Sequence, residues 1–290
     1  MVEGLIIQPM EPGDLAFAAG CTAAEGWISE TYAQFEGLYA HDPQGCFIAR
    51  LEGQPVGICI ATPYTHSGFI GELIVRPEVR QRGIGAALLN RAVSYLRGHD
   101  LSTVYLDGVA AAVPLYERNG FRKICRSLRL YGRIPRRMHP QRVHPQVRPV
   151  RASDLPDICG LDWQAFGDDR SFFLERRWQL FPDLFKVLVV DGDLRGYITG
   201  RRVEEFIFAG PWLVAPEVND PLLLLEGLAC EVGEAFIAMG ILESNSQAVE
   251  LARSLGMAER ADSPWRMALG PEDDLGRSPQ CLTVGTAGKG

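Results

Sequence analysis

A strand-like run, a basic turn, two glycines and an apolar helix-like run follow one another in Phe69-Ile-Gly-Glu-Leu-Ile-Val-Arg-Pro-Glu-Val-Arg-Gln-Arg-Gly-Ile-Gly-Ala-Ala-Leu-Leu89. Glycines at 83 and 85 let the backbone come close to a ligand. The free amides of a first helical turn point outward, together with the positive end of the helix dipole. This combination can cradle a diphosphate, and it can equally be no more than a tight strand-to-helix turn. No Gly-Lys-Ser/Thr follows, and Leu88 stands where a dinucleotide fingerprint has its last glycine. Nucleoside triphosphates and NAD are therefore disfavoured.

Two carboxylates near this segment are candidates for proton transfer. Period-two alternation puts Glu72 on one face of its strand with Ile70 and Ile74, where a carboxylate is unexpected unless that face borders a cleft. Pairing with an arginine, or a solvated position on a twisted strand, accounts for Glu72 equally well. Asp107, at the end of the next strand, is a second candidate, although capping of the Asp107-Gly108 turn explains it too. Cys46, Cys59 and Cys125 are flanked by apolar strand residues with no histidine nearby in sequence, which favours direct attack over a covalent acyl-enzyme.

The arrangement Arg80-x-x-Gly83-x-Gly85 after a strand ending in Val75-Arg-Pro resembles motif A of the GNAT superfamily of acyl-CoA N-acyltransferases. Downstream, Pro114-Leu-Tyr116-Glu-Arg-Asn-Gly-Phe121 resembles motif B of the same family. The resemblance implies a mixed sheet splayed between its fourth and fifth strands, with acetyl-CoA in the gap. The pantetheine arm would pair with the backbone of Leu73, Ile74 and Val75. The diphosphate would take amides from Arg82, Gly83, Ile84, Gly85 and Ala86, with Arg80 and Gln81 completing the loop. By the same resemblance Tyr116 is the acid that protonates the leaving thiolate. A core tyrosine is the alternative. Val109 stands where the family often has an asparagine, which weakens side-chain assignments from Val109 to Val113.

A pantetheine arm, being peptide-like, satisfies the edge groups that a splay leaves bare. The acceptor must meet a second demand. An alkyl ammonium has a pKa of about 10.4, so an amine needs a base before it can attack, and Glu72 is the first choice.

These motifs sit in a repeated order of elements. In the first half, Asp14–Ala24 and Ser29–Ala40 read as helices. Cys46–Leu51, Val56–Thr62 and Phe69–Val75 read as strands. They are followed by a helix over Gly83–Leu96, a strand over Thr103–Leu106, a short helix over Val113–Asn119 and a strand over Phe121–Tyr131. The second half repeats the order: helices over Leu155–Ala165 and Ser171–Leu180, then strands over Lys186–Val190, Leu194–Arg202 and Glu205–Val214. A long helix over Asn219–Met239, a strand near Ile241, a helix over Gln247–Ser254 and a strand over Trp265–Leu269 complete it. Between the halves, residues 133–151 carry six arginines, four prolines and no acid, which reads as an extended linker.

The expected organisation is α/β with two tandem GNAT-like domains, each a splayed mixed sheet flanked by helices. The boundaries are 1–132 for a catalytic domain, 133–147 for a basic linker, 148–270 for a degenerate copy and 271–290 for a tail. In that tail Cys281–Val284 can add an edge strand. Where motif A should recur, Val214-Ala-Pro-Glu-Val-Asn-Asp-Pro-Leu-Leu-Leu-Leu225 has no paired glycines and offers Glu217 and Asp220 to a phosphate. Around Leu251 and Ala252 the motif B tyrosine is missing. Acetyl-CoA is not expected there. Trp27, Trp163, Trp178, Trp212 and Phe166 are core residues or pocket walls.

Composition bounds the rest. The chain has 290 residues, 47% hydrophobic and 22% charged, and a net charge of −7. Residues 1–150 hold 16 Lys+Arg against 13 Asp+Glu, and residues 151–290 hold 13 against 23. This is too small a basic excess for a nucleic-acid binder. The most apolar window, 221–241, carries three glutamates, so no membrane span is expected. Seven cysteines show no C-x-x-C spacing, so no metal site is expected, and with no signal peptide legible at Met1–Met10 a cytoplasmic location is. The expected activity is acetyl transfer from acetyl-CoA to a small-molecule amine, or to a protein or peptide amine. A mycothiol-synthase-like acyltransferase and a non-catalytic acyl-CoA sensor are the alternatives, and oligomeric state is not legible.

Overall fold

The computed structural model describes residues 2–27, 30–135, 138, 143–271 and 274–285. The start of the expected helix at Ser29, linker residues Arg136, Arg137, Pro140 and Arg142, and tail residues 286–290 lie outside them.

In chain order the elements are β1 (Leu5–Pro9), α1 (Leu15–Ala24), α2 (Tyr32–His41), β2 (Cys46–Leu51), β3 (Gln54–Pro63), β4 (Ser67–Val75), α3 (Ile84–Arg97), β5 (Thr103–Gly108), α4 (Val113–Arg118) and β6 (Arg122–Arg133). There follow β7 (Val147–Pro149), α5 (Leu155–Phe166), α6 (Ser171–Leu180), β8 (Phe185–Val190), β9 (Asp193–Val203), β10 (Phe206–Val214), α7 (Leu222–Val232), β11 (Phe236–Leu242), α8 (Ser246–Ser254), β12 (Ala258–Glu259), β13 (Trp265–Leu269) and β14 (Cys281–Thr283). Strand β1 was not expected. The long helix over Asn219–Met239 is corrected: α7 stops at Val232, Gly233 turns the chain at φ 61°, and residues from Phe236 enter β11. Apolar residues lie on both sides of that turn, so hydrophobicity alone does not mark where helix becomes strand.

The described chain divides into two compact units. Unit 1 comprises residues up to Ile124 with the segment from Arg266 to Pro271, and its strand order is β1-β2-β3-β4-β5-β13. Unit 2 comprises Cys125–Trp265 with the segment from Asp274, ordered β6-β11-β10-β9-β8-β7. The division therefore does not follow the sequence boundary at 132/133. Each unit is completed by a strand from the other half of the sequence, β13 in the first and β6 in the second.

Helix α3 shows how the sequence builds unit 1. Ile84, Leu88, Leu89, Ala92, Val93 and Leu96 fall on one helical stripe and are all buried. Each large aliphatic side chain on that face contributes roughly 1.5–3 kcal/mol on burial.

The internal duplication is visible in detail at the entry to each copy's first helix. Asp14 accepts from the Glu11 N–H at 3.0 Å and pairs with Arg50 at 2.6 Å. Asp154 accepts from the Arg151 N–H at 2.7 Å and takes two bonds from Arg148, at 2.7 and 2.9 Å. The Arg148 guanidinium, helped by the Arg151 amide, holds the Asp154 carboxyl below the usual carboxylate range.

Candidate functional site

Strand β4 is bulged at the predicted base. Its antiparallel register with β3 pairs Ile74 with Ile58 and Gly71 with Ile60, so Glu72 and Leu73 together face Cys59. A two-against-one bulge breaks alternation. Gly71 and Ile74 then share a face, which puts Ile70 and Ile74 on opposite ones; the expected stripe of Ile70, Glu72 and Ile74 does not form. Glu72 itself has φ 50° and is 4% exposed. A left-handed backbone at a non-glycine residue costs of order 1–3 kcal/mol and is concentrated at functional sites.

On its other side β4 runs parallel to β5 from Ser67↔Thr103 to Ile70↔Leu106, where the register ends. Strand β4 continues to Val75. Leu73, Ile74 and Val75 thus carry main-chain groups past the last β5 partner; Ile74 is buried, and Leu73 and Val75 are half-buried.

Beyond Val75 a single turn of tight helix at Pro77–Val79 leads into the basic loop. Gln81 (φ 63°) and Gly83 (φ 85°) are both left-handed, and Gly83 is the N-cap of α3. The Ala87 N–H closes the first helical turn onto the Gly83 carbonyl at 3.1 Å, so the amides of Ile84, Gly85 and Ala86 precede the ladder. A side chain at 83 would meet only Val2, at 4.0 Å, and one at 85 would meet nothing nearer than Leu115, at 3.6 Å. Packing within the fold does not require a bare backbone at 85. Arg80, Gln81 and Arg82 are exposed. Arg80 donates from Nε to the Val75 carbonyl at 2.8 Å and pairs with Glu25, fastening the loop to the end of β4 and to the residue following α1.

Tyr116 lies on α4, 6% exposed. Its ring meets Phe121 edge to face, with centroids 6.0 Å apart, and rests on Gly108, where a Cβ would come within 2.7 Å of Tyr116 Cε2. Burial, and then the nearby Cys59 and Glu72, hold the Tyr116 phenol above the usual tyrosine range. It therefore carries its proton at neutral pH. Glu72 on β4 and Tyr116 on α4 are near enough for the carboxylate's charge to act on the phenol.

Asp107 is held differently. Arg266 Nε donates to its Oδ1 at 2.6 Å, and the two side chains are 0% and 1% exposed. The Arg266 guanidinium also lies 5.1 Å from the Phe69 ring centroid. Sequence reasoning missed Arg266, whose only local signal is a single cation inside the apolar run Trp265–Leu269.

Burial pushes the Cys59 thiol well above its usual range, with Glu72 and then Cys46 adding to the shift; burial, then Asp42, raises Cys46 to about 12. Neither is a thiolate near neutral pH. Among the described residues no group of His, Cys, Asp or Glu side chains could hold a metal ion, and no helix is long and apolar enough to cross a membrane.

In unit 2 the matching strand-to-helix turn has no left-handed glycine. Pro221 is the N-cap of α7, and the first helical residue, Leu222, donates its N–H to Asp220 Oδ1 at 3.0 Å. Glu217 pairs with Arg195 at 2.8 Å. Of the five aromatics set aside as core or wall, Trp212 and Phe166 are buried, Trp27 and Trp178 half-buried, and Trp163 exposed.

Comparison with known proteins identifies the family and the fold. Residues 15–121 match the model of the acetyltransferase (GNAT) family, and residues 158–278 match that of an acetyltransferase (GNAT) domain. A mycothiol acetyltransferase of Acidimicrobium ferrooxidans is 35% identical over 118 residues, 38% of this chain and 38% of that protein. An N-alpha-acetyltransferase 30 of Dictyostelium discoideum is 31% identical over 96 residues, 31% of this chain and 52% of that protein. The chain thus spans about two-fifths to one-half of these relatives. Among solved structures, an acetyltransferase candidate from Pyrococcus horikoshii aligns with TM-score 0.81 at 24% identity, covering 100% of this chain and 97% of that one. A tandem GNAT protein from the clavulanic acid biosynthesis pathway aligns with TM-score 0.63 at 18% identity, covering 93% and 100%. These two likenesses show the fold.

Proposed function

The chain belongs to the GNAT acetyltransferase superfamily, in a tandem form, and from that premise we propose that unit 1 is an acetyl-CoA-dependent N-acetyltransferase. The observation that carries the reading is that β4 outruns its β5 partner at Leu73–Val75 and leads through the Arg80–Gly83 turn to the amides of Ile84–Ala86, which precede the helical ladder, with Tyr116 and Glu72 both buried.

On this reading the main chain of Leu73, Ile74 and Val75 receives the pantetheine arm. The amides of Arg82, Gly83, Ile84, Gly85 and Ala86 receive the diphosphate. Arg80 acts through the loop, because its guanidinium is already committed to Val75 and Glu25. When bound, acetyl-CoA supplies an activated acetyl group as a thioester. The chain supplies the proton handling. Glu72 takes a proton from the incoming ammonium, directly or through water, so that a neutral amine attacks. Tyr116 holds a proton at Oη for the departing sulfur, and its raised pKa keeps that proton in place up to strongly alkaline pH. Asp107 is structural, since Arg266 neutralises it within the core. The protonated thiols of Cys59 and Cys46 support direct attack over an acyl-enzyme.

The two named relatives carry different acceptors in their names, so the acceptor is argued from this chain. Its net charge of −7 favours a cationic amine over an acidic one, and we place it among small polyamines, amino acids and amino sugars. Thiol release from acetyl-CoA against a panel of such amines and of basic peptides tests this. Faster turnover of the peptides would overturn the small-amine assignment.

A further inference from the structure

Unit 2 has the same divergent strand pair as unit 1, and its gap is filled by the chain itself. Strand β10 runs parallel to β11 from Phe206↔Phe236 to Phe208↔Ala238, where the register ends, as that of β4 with β5 ends at Ile70. Strand β10 too is bulged: Ala209 pairs with Gly200 and Trp212 with Ile198, leaving Gly210 and Pro211 against Thr199. Past the bulge, where β4 is open, β10 pairs antiparallel with β14, Trp212 with Thr283 and Leu213 with Cys281. The Val214 N–H donates to Gln280 O at 3.2 Å, and on the far side the Val284 N–H donates to Gly240 O of β11 at 2.9 Å. An extended peptide therefore bridges the two diverging strands.

The lining is shaped to this occupant. A Cβ on Gly210 would come within 2.5 Å of Val284 O, and one on Gly240 within 2.7 Å of Val284 Cγ2. Asn245, the N-cap of α8, donates from Nδ2 to the carbonyls of Pro279 and Cys281, at 3.1 and 2.9 Å, while its Oδ1 accepts from the Ala248 N–H. Cys281, Leu282, Thr283 and Val284 are all buried.

We propose that the divergent β10–β11 pair is a peptide-binding site whose resident ligand is the segment Gln280–Val284, held through main-chain hydrogen bonds in the place that unit 1 leaves for the pantetheine arm. The comparison with pantetheine rests on the proposed function of unit 1; the peptide site does not. With its own segment in place, unit 2 takes no acyl-CoA, and the full chain takes one.

Amide hydrogen exchange on the full chain tests the site. Cys281–Val284 should exchange at least about 100-fold more slowly than in a free peptide, together with Trp212–Val214. Free-peptide rates at 281–284, with β9 still protected, would overturn the proposal. In full-length Val284→Pro, which loses the bond to Gly240, that protection should fall, and a synthetic peptide of residues 278–285 should bind one per chain and restore protection at 212–214. A peptide that binds the unsubstituted chain equally well would contradict it. Titration of CoA into the full chain separates the two readings: one site agrees with both, two sites overturn the tail as occupant, and no binding, with 281–284 protected, overturns the unit 1 reading while the peptide site stands.

Discussion

Arg266 Nε lies 2.6 Å from Asp107 Oδ1, joining residues 159 positions apart with neither side chain exposed by more than 1%. Such a pair is costly to break from one side, because the remaining charge is left buried without its counter-ion. Arg266→Leu should therefore lower unfolding stability by about 3–5 kcal/mol, and Arg266→Leu with Asp107→Leu should recover much of that loss. Urea denaturation of the two variants checks the order. Equal stability of single and double variants would place the cost elsewhere.

The same pairing bears on catalysis. If Asp107 is structural and Glu72 the base, Glu72→Gln should lower kcat/KM by about 10²–10⁴ while the fold keeps its stability. Asp107→Asn should destabilise the fold but keep kcat/KM within a few-fold under conditions where it is folded. A loss of kcat/KM in folded Asp107→Asn and not in Glu72→Gln would exchange their roles.

Tyr116 sets the alkaline side. Its pKa is raised, so the phenol stays protonated below its folded value and loses its proton only as pH rises beyond the usual tyrosine range. The unsubstituted protein should show no activity loss assignable to Tyr116 below about pH 10. Tyr116→Phe should lower kcat by about 10²–10⁴ and leave the affinity for CoA unchanged. A Tyr116→Phe enzyme with full kcat would reduce this residue to packing.

The phenol's position depends on Gly108, where even a methyl would approach Cε2 within 2.7 Å. Gly108→Ala should displace the ring, lowering kcat in the direction of Tyr116→Phe with CoA affinity kept. Full activity in Gly108→Ala would show that the ring's seat on β5 does not matter.

Cys59 faces the bulge that carries Glu72, yet its thiol is held protonated by burial. Cys59→Ala should keep turnover within a few-fold, and no acetyl group should be found on the protein by mass spectrometry after incubation with acetyl-CoA alone. A labelled cysteine would replace direct attack with a two-step route.

What the sequence made legible was local. The turn at Arg80–Gly85 and the helix holding Tyr116 are short segments whose residue types state their own conformation, and both are in place. The bulge at Glu72 and Leu73 was invisible because nothing in Gly-Glu-Leu marks a left-handed backbone; register with β3 decides it. The pairing of Asp107 with Arg266, and the placement of β13 beside β5 and β6 beside β11, are choices of partner made across more than a hundred residues. Periodicity cannot express them. The segment at Cys281–Val284 was legible as a strand, but not as one lying between β10 and β11.

Amide hydrogen exchange with and without saturating acetyl-CoA tests the central claim most directly. Binding should slow exchange at Leu73–Val75 and at Ile84–Ala86 and leave Trp212–Val214 unchanged. Unaltered exchange at 73–75 and 84–86, or slowing confined to 212–214, would contradict the placement of the cofactor in unit 1.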